Sequence, residues 1–196
     1  MLNQELKKII QEADEWARDE FTTYSVPIWA YDTANQAGQK LATHFEVDKG
    51  VIMLGTILMD IALGRALKQN KIKEHVQMSY DEGRSFLGKY DIDSEIKTKI
   101  LNGVKYHHGT DKFPSLEAEI IMNADCYKFL IPENIKKYYK MLREERQTGG
   151  KEAIEGVRYK YEEKKNSLSL DYCKKELEPN FKSIEDFLLG KEKNDQ

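Results

Sequence analysis

Apolar residues recur at helical spacing along nearly the whole chain. Leu6, Ile9, Ile10, Ala13 and Ala17 share one face with charges opposite, which predicts a helix over residues 2–20 that Ser25-Val26-Pro27 breaks. A second helix follows over 28–43 and ends in a polar stretch, 44–49. Asp48 is suited to cap the next segment, residues 51–63, which is apolar on every face and so reads as a helix buried all round. Further helices are expected over 74–89, over 94–106 with Asp93 as cap, and over 116–129 with Ser115 as cap. Two longer, more polar helices complete the pattern, over 133–147 and 151–186, the latter with breaks near Asn166 and Pro179. Residues 190–196 read as a charged, frayed tail, and Thr148-Gly149-Gly150 as a loop or hinge. No strand alternation or repeat interrupts this. The expectation is an all-α single domain over 1–196, with a core at about 28–130 and a C-terminal helical extension at about 131–189.

Composition narrows the function classes. Only 12 Gly and 4 Pro occur in 196 residues, which agrees with a helical chain. The most apolar region is uncharged only from Gly50 to Met59, short of the roughly 18 residues that span a bilayer. The opening Met1-Leu2-Asn3-Gln4-Glu5 is polar and acidic, unlike a secretory leader. A net charge of −3 argues against nucleic acid as the main partner. Residues 133–165 hold ten Lys and Arg against seven Glu, a weak excess. Cys126 and Cys173 have no metal-ligand spacing and read as free thiols, so the expected compartment is the cytoplasm, with no membrane partner.

Asp60 is the most informative single residue. A carboxylate inside an apolar segment costs several kcal/mol unless a cation, a hydrogen-bond donor or a metal compensates it; pairing with Arg65 would be a purely structural answer. His75 opens its helix on the stripe of Ser79, Glu82 and Phe86, and His107 and His108 close the helix whose stripe is Ile96, Ile100 and Val104. Asp125 lies four residues after Ile121 and shares its apolar face. Each histidine alone is most simply a core or helix-end residue. Together with two inward carboxylates they point to a metal site suited to Mn, Fe, Co, Ni or Zn, and to Mg where water fills most of the shell. His44, after a helix end, is expected in solvent.

In this order the residues resemble the HD-domain superfamily of metal-dependent phosphohydrolases. Residues 54–65, with Asp60 as the acid, look like the segment that carries that family's His-Asp doublet. Glu74-His75-Val76-Gln77-Met78-Ser79 looks like the next histidine element, Val104-Lys105-Tyr106-His107-His108 like the following one, and Ala124-Asp125-Cys126-Tyr127 like the closing acid. Two ligands depart from the family pattern, with Met59 at the doublet histidine and Ala30 at the first histidine. The resemblance implies a metal held by Asp60, His75 and His107 or His108, with Asp125 orienting water or completing the shell. Arg65, Arg84, Lys105 and His108 are the residues available to a phosphate. The implied activity is hydrolysis of a nucleotide or other small phosphoester, on Asp60 and Asp125. The alternative is a catalytically inactive HD-like module, without metal, that binds a phosphorylated ligand or a protein partner. The long polar C-terminal helices are suited to pairing two copies.

Overall fold

The computed structural model describes residues 4–194. Leu2 and Asn3 of the first predicted helix, and Asp195 and Gln196 of the tail, lie outside the described residues. Every regular element among the described residues is helical, as the periodicity predicts. The chain forms two compact units, residues 1–125 and 126–196.

In the first unit, α1 (Gln4–Thr23) and α2 (Ile28–His44) flank α3 (Lys49–Leu58), which also packs on α6 (Ser94–Tyr106). The central place of α3 follows from its sequence, since Ile52, Leu54 and Leu58 are fully buried. Each such side chain contributes roughly 1.5–3 kcal/mol over leaving it in water. Asp48 caps α3 as expected, accepting from the Gly50 and Val51 amides at 2.7 and 3.2 Å. Asp93 caps α6 in the same way through Glu95 and Ile96. By length and mean hydropathy, 1.7, residues 49–68 could cross a bilayer, but 78% of that window is buried inside the protein.

That apolar segment is not one helix. After Leu58 the chain makes a turn, Met59 to Ala62, before α4 (Leu63–Lys68) resumes. The ladder tightens to three-residue steps, with Ile61 N–H on the Leu58 carbonyl and Leu63 N–H on the Asp60 carbonyl. The Ala62 N–H leaves the ladder and donates to Ser79 Oγ at 3.2 Å. Ser79 is fully buried on α5 (His75–Leu87), so this bond ties the turn to the helix that begins with His75.

Two close approaches place the last helix of this unit. A Cβ at Gly55 on α3 or at Gly103 on α6 would lie 2.2 or 2.1 Å from Ile121 Cδ1. Ile121 on α7 (Leu116–Cys126) therefore occupies a slot that only glycine leaves open on both neighbours. Asp125 is one turn further along α7.

The second unit holds α8 (Pro132–Lys140), α9 (Gly150–Ser167) and α10 (Asp171–Asn194), mutually packed around Ile135, Val157, Tyr161, Ile184 and Leu188. The expected helix over 133–147 changes register: after Lys140 the chain forms a π-helical turn, Met141–Glu145, closed by Arg146 N–H on the Met141 carbonyl at 3.0 Å. Residues 146–149 then form the expected loop. The break expected near Asn166 falls after Ser167, while α10 runs unbroken through Pro179. Burial of Leu177 and Ile184 on either side, and the bond from Asn180 Nδ2 to the Leu130 carbonyl at 2.9 Å, hold the helix where proline removes one ladder bond. The predicted frayed tail is helical as far as Asn194. Cys126 and Cys173 are both buried and form no disulfide.

Candidate metal centre

Four of the residues singled out in the sequence converge in the first unit. Asp60, on the turn between α3 and α4, is 8% exposed. Its Oδ1 lies 3.4 Å from His107 Nε2 and 3.6 Å from His75 Nε2. His75 Nε2 is in turn 3.1 Å from Nε2 of His108. One ligand atom from each of the three histidines lies within 4.8 Å of the others. His107 is buried, the His75 side chain is 12% exposed and His108 opens to solvent, so the cluster has a closed floor and a wet rim.

Local backbone sets the direction of two rings. His75 Nδ1 is 2.6 Å from the carbonyl of Ile72, in the short 3-10 turn just before α5. His107, at the end of α6, has Nδ1 2.7 Å from the Val104 carbonyl. A carbonyl can only accept, so both Nδ1 atoms carry a proton, and each ring turns its Nε2 towards Asp60. Fixing the outer nitrogen to a backbone oxygen is the arrangement that orients metal-ligating imidazoles.

Two ring nitrogens thus lie within 3.6 Å of one carboxylate oxygen, a group of electron-pair donors that suits a cation. Burial lowers the His75 pKa from its ordinary value, more than the Asp60 charge and the Ile72 bond raise it. Burial therefore disfavours the charged form of the His75 ring. His107 Nε2 is buried with no hydrogen-bond partner, which leaves it available as a ligand. Ligands held at ~2.0–2.2 Å around a tetrahedral ion sit ~3.3–3.6 Å apart, and the separations from Asp60 fall in or next to that range. Three imidazoles and a carboxylate are the donor set of a borderline divalent cation. The three histidines can thus form a metal site, with Asp60 beside them.

Comparison with protein-family models, with curated proteins and with solved structures finds no match to this chain.

The remaining predicted residues divide. Asp125 is 3% exposed, and its charge acts on His75, so it belongs to the electrostatic surroundings of the cluster. Arg65 is engaged elsewhere, with Nε 2.9 Å from Glu20 and Nη1 2.7 Å from Glu82, and is not the partner of Asp60. Arg84 is exposed beside Asp81 and the Tyr80 ring, and Lys105 is exposed over Tyr106. His44 is exposed against Phe45, as expected.

Sequence reading missed the residues that hold the ligands. Ser79 was legible only as a member of the His75 stripe; its bond to Ala62 appears in the folded chain alone. The carbonyls of Ile72 and Val104 leave no side-chain signal, although each lies three residues before its histidine.

Proposed function

We propose that this chain is a divergent HD-superfamily phosphohydrolase, using one divalent cation held by Asp60, His75 and His107, with His108 at the rim. The observation that supports it best is the buried, unpartnered Nε2 of His107 facing Asp60 Oδ1 at 3.4 Å, beside a second imidazole in the same tautomer. A bound cation supplies a water acidified towards neutrality and a positive charge for a phosphoryl oxygen.

The chain's own residues supply the rest. Asp60 balances the cation's charge and spans the two buried imidazoles. Ile72 and Val104 hold those imidazoles with Nε2 inward. His108, exposed and with Nε2 3.1 Å from Nε2 of His75, offers a third imidazole at the rim of the donor set. Asp125 adds negative charge that favours a cation. The substrate class is a nucleotide or another small phosphoester, with Lys105 and Arg84 as exposed cations on α6 and α5.

A second reading, an inactive module that binds a phosphorylated ligand or a protein partner, is favoured by Met59. This residue is 1% exposed and apolar where the HD pattern has a histidine. The two readings separate by metal analysis of protein purified without chelator, followed by turnover on a phosphoester panel with Mn, Co, Ni, Zn or Mg. Metal binding and turnover that both disappear in Asp60→Asn are the expected result. Absence of metal and turnover in the parent chain overturns the enzyme reading.

A further inference from the structure

The second unit carries a cleft of about 540 Å³ whose chemistry is unlike that of the metal centre. Lys136 and Lys140 reach it from α8, Arg143 from the π-helical turn, and Lys191 from α10. One carboxylate, Glu144, lines it among these four cations, 3.6 Å from Lys140 Nζ. The excess is out of keeping with a chain of net charge −3, and three of its four cations come from residues 133–165. Like charges gathered in a concave wall repel one another and raise the local concentration of anions.

The same cleft has an aromatic wall. Tyr139 and Phe187 meet edge to face with ring centroids 5.7 Å apart, and both are half-buried. Lys191 Nζ stands 5.0 Å from the Tyr139 ring centre and 5.7 Å from that of Phe187. A planar ring gains from stacking on such a wall, and a phosphate gains from the cations beside it. The volume is within the range of small-molecule sites. The π turn is a second observation: its wider ladder is rare, recurs at functional sites, and here carries Arg143 and Glu144 outward while Met141 and Leu142 are buried.

We propose that this cleft binds a nucleotide, its phosphates on Lys136, Lys140 and Arg143 and its base against Tyr139 and Phe187. The proposal does not rest on the metal centre, and its test removes that centre. Full-length Asp60→Asn protein in chelator is titrated with ATP, with pyrophosphate and with adenosine by calorimetry. ATP is expected to bind more tightly than either fragment. Lys140→Glu with Arg143→Glu should weaken ATP and pyrophosphate alike by about tenfold or more, as two lost charge contacts imply. Tyr139→Leu, or Phe187→Leu where the tyrosine variant misfolds, should weaken ATP about tenfold and leave pyrophosphate unchanged. Pyrophosphate binding as tightly as ATP overturns the base contact. ATP binding that ignores the charge reversal, or no ATP binding at all, overturns the site. A single-stranded oligonucleotide that binds there more tightly than ATP replaces the proposal with nucleic-acid binding.

Discussion

Met59 to Ala62 in the first unit and Met141–Glu145 in the second are both places where a helix departs from its four-residue ladder, yet they solve the problem in opposite ways. The first is buried, tightens to three-residue steps and hands the Ala62 N–H to a buried serine. The second widens to a five-residue step and satisfies itself, with Arg146 N–H on Met141 and Thr148 N–H on Leu142. The buried turn brings one carboxylate to imidazoles from two other helices. The wide turn presents Arg143 and Glu144 to solvent. Desolvation explains the difference. A buried break needs a partner for each freed polar group, and those partners fix the geometry a metal ligand set requires. A break that closes on its own backbone needs no such partner, and its outward residues, Arg143 and Glu144, stay in water.

The contrast can be broken most directly at the ligands. His107→Ala should reduce divalent-metal affinity by more than about 100-fold, since loss of an outer-shell partner alone costs 10–100-fold, and Arg143→Ala should leave it unchanged. Competition against a chelating dye reads both. Equal effects would mean that the buried cluster has no special claim on the cation.

Ser79→Ala tests whether the buried turn depends on its outside partner. It leaves the Ala62 N–H unsatisfied, at a cost of about 1–3 kcal/mol in urea unfolding. Arg143→Ala on the self-satisfied turn should stay within about 0.5 kcal/mol. Metal affinity should fall with Ser79→Ala as well, because the same bond fixes the turn that carries Asp60. A serine variant as stable as the parent would show that the turn holds itself.

Loss of the α3 cap in Asp48→Ala should cost about 1 kcal/mol, and the α6 cap in Asp93→Ala a similar amount. Thermal unfolding of the two single variants and the double variant measures whether these helix starts act independently.

The smallest effect is on the acid side. Burial pushes the Glu117 carboxyl up, but its own backbone amide, Lys99 and Ser115 together bring it below its ordinary value of 4.5. Lys165 and Tyr161 hold the Glu185 carboxyl low in the second unit. A carboxyl held low in the native state adds stability above about pH 4.5 that is lost as pH falls through the native value. Glu117→Gln should therefore flatten the fall in Tm between about pH 6 and pH 3. Glu185→Gln should flatten it less, because that side chain is 45% exposed and solvent screens the pair.

How far the sequence speaks follows the range of each interaction. The caps at Asp48 and Asp93 and the stripe of Ile100 and Val104 were legible because a cap and a helical face are settled within one or two turns. The burial of Asp60 and Asp125 was legible from apolar neighbours on the same face. The two helix breaks were not, since neither carries a proline to announce it. Pro179, which does announce a break, is overridden by the packing of the residues around it.

By itself, then, the order of apolar and polar residues determined that this chain is helical, that α3 lies at the centre of its unit, and that Asp60, Asp125 and His107 turn inward, while His108, expected near the same face, is exposed. Only the tertiary structure decided that Ser79 would hold the turn at Asp60, that His75 and His108, 33 residues apart, would bring their Nε2 atoms to 3.1 Å, and that Lys191 would join the cations of α8. Helical period is a local property of the chain. The meeting of ring nitrogens from separate helices depends on which side chains fill the spaces between them.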